Sequence, residues 1–405
     1  MIKRIAIEQL KIGMYIHDLN CDWLDHSFMR TRFLVKNAKH LEKIQQLGMH
    51  DLYIDTEKGL DVSSAPTAAQ VESEIEQDLT HIAATPDIPH PVVLTAERGQ
   101  ARRIHQEAIG VVKTLMEDVR LGQQIDLEHV NPVVTKMVGS IFRNQDALLA
   151  LTRIRQVGRY TFEHSVNVAV LMVSFARTMG LEQTLIHNIG LGALLHDIGK
   201  TLVPPEILNK PGALTDDEFV VMRGHVVHTQ NLLTVVPGIP HIALSVAAEH
   251  HERIDGNGYP YHKAGDDISL YGQMASIADV YDALTTDRVY HKAMEPHQAL
   301  RKLLEWSNHH FDSALVQHFI RCVGIYPIGT LVRLNSGRLG VVVENGRQGL
   351  RQPVVRVVMD VKRRIFLTAK DVDLSCLPID SDERIIGTES PAQWDIDPIK
   401  VMMLA

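Results

Sequence analysis

Histidine and aspartate cluster in the middle of the chain at spacings suited to a metal site. Two adjacent histidines, His250 and His251, begin the glycine-spaced segment "HHERIDGNGYP" (250–260). A second pair, His196 and Asp197, stands in "LLHDIGK" after an apolar run. Neutral imidazole is the commonest side-chain metal ligand, and a carboxylate beside apolar residues needs a cation or hydrogen-bond donors. These segments indicate a metal site. The plainer alternative is a solvated helix end for the histidine pair and, for Asp197, a carboxylate that caps the next turn.

Three further candidates lie in helical patterns of the same region. They are His164 in "YTFEHSVNVAV", His225 in "MRGHVVHTQNLL" and Asp279 in "ASIADVYDALTTDR". His228 follows His225 at i+3, and the spacing leaves open which of the two is a ligand. Five imidazoles and two carboxylates are too many for one ion, whereas two ions sharing a carboxylate would use them all. Nitrogen and oxygen donors without thiolate favour iron, manganese, zinc or similar divalent metals.

The surrounding sequence predicts a mainly α protein, in which an all-α domain carries these residues between two small modules. Apolar residues recur at three and four spacing in segments such as "HSVNVAVLMVSFARTMG". Thr215 and Glu218 in "LTDDEF" predict a capped helix start. Later segments such as "LGVVVEN" and "QPVVRVVMD" read as strands. The predicted domains are an α/β module (1–64), a partly helical linker (65–94), the all-α domain (95–325, with the motifs in 140–325), a β module (326–376) and a tail (377–405).

Composition narrows the range of partners. The net charge of −8 argues against a surface that grips long nucleic acid. The three cysteines share no CxxC spacing, which argues against a disulfide framework or a thiolate zinc site. The N-terminus does not read as a signal peptide, and the most apolar stretch is shorter than the roughly 20 residues that cross a bilayer. We therefore expect a cytoplasmic protein with neither a nucleic acid polymer nor a membrane as partner.

The ordered motifs "HDIGK", "HHERIDGNGYP" and "ADVYDALTTDRVY" closely resemble the HD-GYP subgroup of HD-domain phosphohydrolases over about residues 140 to 325. The first 64 residues resemble the small module of unknown function that often precedes this domain. The resemblance implies two divalent ions, iron or manganese, with nickel, cobalt, zinc or magnesium as alternatives. It assigns one ion to His164, His196, Asp197 and Asp279 and the other to His225, His250 and His251, with the Asp197 carboxylate bridging.

By the same resemblance, the expected activity is metal-dependent hydrolysis of a 3',5'-cyclic dinucleotide to the linear dinucleotide, as part of bacterial second-messenger signalling. Cyclic di-GMP is the first expected substrate and 3'3'-cGAMP the second. The chemistry fits, because two ions about 3.5 to 4 Å apart turn a bridging water into hydroxide and stabilise the oxygens of an in-line displacement. Lys200 would bind the scissile phosphate, and Arg288 would clamp the second phosphate. For Tyr259, stacking on a base and covering the core remain equal alternatives.

The sequence departs from the family pattern at two places. Tyr160 occupies the position where some members carry a glutamate for a third ion, so two metals are expected. The phosphate-binding segment of relatives often reads Arg-x-x-Lys, whereas here His291 stands at that spacing from Arg288, and Lys292 follows it. The affinity for the substrate or the preference for its bases would differ from that of these relatives as a result.

Other functions remain as alternatives to the phosphodiesterase. One is an HD hydrolase acting on another nucleotide. Another is a sensor that binds a cyclic dinucleotide without turnover and passes the signal to a protein partner. The long helices predicted near the linker also make a homodimer an option.

Overall fold

The structure, a computed structural model, divides the chain into two compact units, each discontinuous in sequence. The N-terminal unit contains Met1–Thr80, Pro204–Met222 and Asp287–Lys292, and the helical unit contains His81–Val203, Arg223–Thr286 and Ala293–Ala405. The structure describes residues 1–21, 32–82, 91–154, 160–287, 292–307, 309–346, 349–377, 381 and 383–404. Helices account for 54% of the chain and strands for 14%, which confirms the prediction of a mainly α protein.

The N-terminal unit is built on a four-stranded antiparallel sheet of order β1-β4-β2-β3. The helix α1 follows the predicted pattern: the Asn37 side chain accepts a hydrogen bond from His40 N at its start, and Gly48 adopts φ +69° after its end. Alternating isoleucine and leucine side chains cover one face and form the core. The elements are β1 (Ile2–Ala6), β2 (Tyr15–Asp18), β3 (Phe33–Leu34), α1 (Ala38–Gln45) and β4 (Asp51–Asp55).

Three more helices lie wholly or mostly in this unit, namely α2 (Ala68–Ile82), α7 (Pro205–Leu208) and α8 (Asp216–Arg223). The start predicted for α8 is present: Glu218 N donates to Thr215 Oγ1 over 3.3 Å, and Thr215 N donates to the Glu218 carboxylate over 2.7 Å. This reciprocal cap satisfies two backbone donors that the helix itself leaves without partners.

The helical unit carries the remaining long helices, and its central members are buried on every side. In α5, the side chains from His164 to Ala176 are all buried, and α6 is apolar almost throughout. Gly192 lets α6 approach α10 closely, since a Cβ there would lie 2.7 Å from the Ala243 backbone. The helices are α3 (Leu94–Arg120), α4 (Leu127–Leu149), α5 (Tyr160–Thr178), α6 (Gln183–Leu195), α9 (His225–Thr234), α10 (His241–Glu249), α11 (Leu270–Leu284), α12 (Pro296–Trp306) and α13 (Ser313–Val323). No helix among the described residues is both long enough and apolar enough to cross a membrane.

A five-stranded antiparallel sheet of order β8-β7-β6-β5-β9 follows the helices. Its strands are β5 (Leu331–Leu334), β6 (Arg338–Glu344), β7 (Val354–Asp360), β8 (Ile365–Asp373) and β9 (Ile385–Thr388). The segment expected to be a tail thus supplies β9, and it also forms α14 (Pro391–Trp394) and α15 (Pro398–Met403). Arg356 on β7 donates to the carbonyl oxygens of Val401 and Leu404, which fastens α15 to the sheet.

A buried carboxylate joins this sheet to the helices within the same unit. Asp146, in α4 just after a break at Asn144, accepts hydrogen bonds from the backbone N and the side-chain Nδ2 of Asn345, both at 2.8 Å. Burial raises the pKa of Asp146 to about 6, and the Asn345 donors oppose that shift. At neutral pH the carboxylate is therefore ionised in the protein interior, where it depends on these donors.

Replacing Asn345 by alanine should lower the free energy of unfolding by about 2 kcal/mol, because a buried charged acceptor loses a donor. Urea denaturation followed by circular dichroism measures this change. The control is Gln352→Ala, which removes an exposed amide from the loop between β6 and β7 and should shift stability by less than about 0.5 kcal/mol. Equal stability of the two variants would contradict the role assigned to Asn345.

Candidate metal centre

The seven side chains that the sequence singled out as metal ligands come together inside the helical unit. In the described part of the chain, three sets of three ligand atoms each lie within 4.8 Å of one another. The sets are His164, His196 and Asp279; His196, Asp197 and His250; and His225, His250 and His251. Since the sets share members, they form one continuous cluster.

Helix ends bring most of these residues to the same place. His196 and His250 are the C-terminal caps of α6 and α10, and His225 begins α9. His164 lies in the second turn of α5, and Asp279 projects from the middle of α11. The C-terminal end of a helix carries partial negative charge, so α6 and α10 both favour a cation at this point.

Asp197 stands between two groups of imidazoles. Its Oδ2 atom lies 3.4 Å from Nε2 of His164 and 3.4 Å from Nε2 of His196. Its Oδ1 atom lies 3.3 Å from Nε2 of His225 and 3.9 Å from Nε2 of His250. Each carboxylate oxygen therefore faces its own pair of nitrogens, which is the arrangement a bridging carboxylate requires.

Asp279 faces the first of these groups and extends toward the second. Its Oδ1 lies 2.9 Å from His164 Nε2 and 3.7 Å from His196 Nε2, while its Oδ2 lies 3.7 Å from His251 Nδ1. Both carboxylates are buried, so their charge needs compensation by cations close at hand.

Backbone carbonyls select which nitrogen two of the histidines present to the cluster. Nδ1–H of His196 donates to the Ala193 carbonyl oxygen at 2.7 Å, and Nδ1–H of His250 donates to that of Ala247 at 2.9 Å. The proton on Nδ1 leaves the Nε2 lone pair of each ring available to a metal. Both rings obtain this tautomer from a carbonyl three residues earlier in their own helix.

The titration behaviour of the cluster suits metal binding at neutral pH. Burial lowers the pKa of His250 to about 3, and burial together with His250 lowers the pKa of His251 well below its usual value. Burial alone would raise the pKa of Asp197, but Lys200 and the nearby imidazoles hold it well below its usual value. His250 and His251 are therefore neutral imidazoles beside an ionised carboxylate, the forms in which these groups bind metal.

The cluster also contains buried polar atoms that lack a protein partner. Among the described residues, Nε2 of His196, Nε2 of His250 and Oδ1 of Asp197 are buried and form no hydrogen bond. Such atoms are costly unless another group satisfies them. Because all three point into the cluster of nitrogen and oxygen donors, the residues fit divalent ions.

The "HDIGK" segment turns sharply after α6 and packs against the backbone of α9. Thr229 Oγ1 donates to the His196 carbonyl oxygen at 3.0 Å and accepts from Gly199 N at 2.9 Å. A Cβ at Gly199 would lie 2.2 Å from the His225 carbonyl oxygen, so only glycine fits here. This close packing ties Asp197 to the helix that supplies His225.

The "GYP" turn lies against the cluster. The Tyr259 ring stacks on the His251 ring with centroids 4.6 Å apart, and the Arg223 guanidinium lies 4.9 Å from the Tyr259 ring centroid. Buried Glu252 accepts hydrogen bonds from Tyr261 N and Lys263 N and so fixes the turn. Tyr259 therefore supports a ligand candidate, a role that neither sequence alternative included.

The other residues named from the sequence are placed as follows. Lys200 Nζ lies 2.5 Å from Asp197 Oδ2, at the edge of the cluster. Lys292 is exposed and belongs to the N-terminal unit. Arg288, His291 and the side chain of Tyr160 lie outside the described residues. The predictions about phosphate binding by Arg288 and the absence of a third ion therefore remain predictions.

Sequence reasoning gave no role to Asp282, which the structure puts directly behind a ligand candidate. The Asp282 carboxylate accepts a hydrogen bond from His164 Nδ1 at 2.7 Å and is itself buried. Despite the opposing effect of burial, Asp279 and Asp282 together raise the pKa of His164. The signal was present in the sequence, because Asp282 follows Asp279 at i+3 on a helix that is otherwise apolar.

Comparisons with known proteins identify the family of the chain. An HD-domain family model matches residues 142–315, and a model described as a domain of unknown function (DUF3391) matches residues 2–130. A cyclic di-GMP phosphodiesterase of Pseudomonas aeruginosa is 39% identical over 396 residues, covering 98% of this chain and 94% of the relative. A 3'3'-cGAMP-specific phosphodiesterase of Vibrio cholerae is 36% identical over 160 residues, covering 39% and 31%.

Among solved structures, an HDG"Y"P protein from Bdellovibrio bacteriovorus aligns with a TM-score of 0.48 and 16% identity, over 79% of this chain and 98% of that one. The family match and the buried histidine–aspartate cluster define an HD-domain protein. Within that class, the chain belongs to the HD-GYP family of cyclic dinucleotide phosphodiesterases. The family resemblance of the motifs is thereby confirmed.

Removing the Asp282 carboxylate should weaken metal binding without displacing any ligand candidate. We expect Asp282→Ala to lower metal affinity by about 10- to 100-fold, because His164 loses the acceptor that orients its ring. Asp282→Asn keeps an acceptor oxygen and should recover part of the affinity. Metal titration and elemental analysis measure both, with the exposed Asp267→Ala as control. Full metal content in Asp282→Ala at limiting metal would contradict the assignment.

Proposed function

We propose that the chain hydrolyses cyclic di-GMP to the linear dinucleotide with the help of two divalent ions. The observation that carries the proposal is the position of Asp197, each of whose carboxylate oxygens faces a separate pair of histidine nitrogens. A site for a single ion would not need a buried carboxylate whose two oxygens face different imidazoles. The relative that matches nearly the whole chain is named a cyclic di-GMP phosphodiesterase, which supports this substrate first.

The ligand set suits iron, manganese, zinc or a similar divalent ion, since it offers imidazole and carboxylate donors and no thiolate, and the family resemblance favours iron or manganese. When bound, two such ions supply an activated water and neutralise charge on the phosphodiester. We assign His164, His196 and Asp279 to one ion and His225, His250 and His251 to the other, with Asp197 shared. The described cysteines form no disulfide bond with one another, in keeping with the reducing cytoplasm in which we expect the reaction to take place.

The protein's own residues keep the site in its working form. His250 and His251 remain neutral because burial lowers the pKa of each. The pKa of Asp279 is held well below its usual value by His164, although burial acts in the opposite direction. The protons that would compete with metal for these ligands are therefore absent at neutral pH.

The side from which the substrate enters follows from differences in exposure. The Lys200 side chain is 18% exposed and that of His251 is 11% exposed, whereas the other six ligand candidates are at most 6% exposed. The anionic phosphate would therefore meet the Lys200 ammonium first. From there, its path leads to the Asp197 carboxylate that Lys200 contacts.

A second candidate substrate is 3'3'-cGAMP, because two relatives named as specific for it match 39% and 50% of the chain. The non-catalytic sensor is the other alternative. The full ligand set argues against the sensor, since a protein that only binds the dinucleotide has no need for buried, deprotonated metal ligands.

Hydrolysis assays on both cyclic dinucleotides test the proposal. Wild-type protein loaded with manganese or iron should convert cyclic di-GMP to the linear dinucleotide faster than it converts 3'3'-cGAMP. Asp197→Ala should lower kcat by about 1000-fold or more, because the shared ligand is lost. Chromatography of the products gives the rates, and circular dichroism verifies that the variant is folded. Binding of cyclic di-GMP with no turnover by metal-loaded wild type would favour the sensor.

Lys200 can be tested separately from the metal ligands. Lys200→Gln should lower kcat/KM by about 100-fold, since a charged contact to the phosphate disappears. Its metal content should equal or exceed that of the wild type, because the ammonium no longer competes for Asp197 Oδ2. The control Lys136→Gln removes an exposed ion pair with Glu107 and should leave kcat/KM unchanged. A loss of metal in Lys200→Gln would instead indicate a structural role.

A further inference from the structure

One end of the C-terminal sheet gathers positive charge. The pairing Arg338↔Asp360 between β6 and β7 and the pairing Asp360↔Ile365 between β7 and β8 put these residues side by side. The β7–β8 turn beyond them reads Lys362, Arg363 and Arg364. We call this end, made by Arg338, Lys362, Arg363, Arg364, Ile365 and Phe366, the basic sheet end.

The cationic side chains of the basic sheet end are exposed to solvent. Arg338, Lys362, Arg363 and Arg364 are all exposed, and none forms an ion pair with another residue of the described chain. Asp360 at this end accepts from the Arg363 backbone N. Glu383 lies near Ser336 in the adjacent β5–β6 turn, and Arg384 follows it. The described residues here thus comprise five cations and two acids, in a protein whose net charge is −8.

Two large apolar side chains are exposed directly beside these cations. Phe366 is 64% exposed and Ile365 is 46% exposed, at the start of the edge strand β8. Exposed apolar groups next to a basic cluster are the combination that attaches proteins to the interface of anionic bilayers, where cations meet lipid phosphates and apolar groups enter the acyl boundary.

We infer that the basic sheet end binds the surface of a membrane containing anionic phospholipid. Nucleic acid fits less well, because its phosphates would satisfy the cations but leave Ile365 without an apolar partner, and the overall charge of the protein opposes a polyanion. A second copy of the chain fits less well too, since symmetric pairing of this end would bring the same cations together. Peripheral binding of this kind needs no membrane-spanning helix, and it would replace the expectation from the sequence that a membrane is not a partner.

Vesicle sedimentation with the full-length protein tests the inference. Wild type should bind vesicles of 30% phosphatidylglycerol and 70% phosphatidylcholine at low salt, release at high salt, and bind pure phosphatidylcholine far less. Reversing two charges with Arg363→Glu/Arg364→Glu should lower the partition coefficient by at least about 25-fold, at about fivefold for each cation lost. Phe366→Ser should lower it by about five- to tenfold with the charges intact.

The matched control is Arg102→Glu/Arg103→Glu on α3, which makes the same change in net charge at two exposed arginines elsewhere. It should retain wild-type partition to within about twofold, because local charge near the surface governs this binding. Thermal melting verifies that all variants are folded. The inference is overturned if the wild-type protein does not bind anionic vesicles, or if both double variants lose binding to the same extent. Binding of a DNA duplex in place of vesicles, or dimer formation lost with Arg363→Glu/Arg364→Glu without vesicle binding, would also overturn it.

Discussion

The structure of the helical unit depends on the need to compensate the charge of two buried carboxylates. Asp197 and Asp279 lie in the interior, where an unpaired negative charge is costly. Five imidazoles and one ammonium meet that need from four segments of the chain. Because each segment must reach the same point, the geometry of the cluster and the packing of the helices depend on each other. The helices concerned are α5, α6, α9, α10 and α11. A fold that is stable with these acids buried therefore also contains a preformed site for cations.

Much of the site could be predicted from the sequence because its chemistry is unusual for a protein core. Histidine and aspartate in apolar helices stand out, and their order along the chain matched that of a known family. The spacing could not show that distant segments converge, and it could not separate His225 from His228. Only the three-dimensional packing shows that His225 is buried in the cluster while His228 is half-buried.

Other parts were out of reach because tertiary contacts decide them. Asp282 has the same sequence environment as Asp279, and the choice between facing a metal and supporting His164 is made by the position of α5. The strand β9 lies in a polar segment whose alternation is short, and it forms because the edge of β5 is available to pair with it. The mainly α fold and the strands β5 to β8 carried strong periodicity and were predicted correctly.

The hydrogen bonds from His196 and His250 to carbonyls of their own helices have a consequence for how this site tolerates sequence change. No side-chain substitution can remove a main-chain acceptor, so drift among the neighbours of these two rings leaves their orientation intact. The vulnerable point moves to the crossing of α6 and α10, where Gly192 sets the separation. A methyl group added at this glycine would push α6 and α10 apart and misorient both rings at once. Inactivating substitutions should therefore arise first at this helix crossing rather than among the ligands.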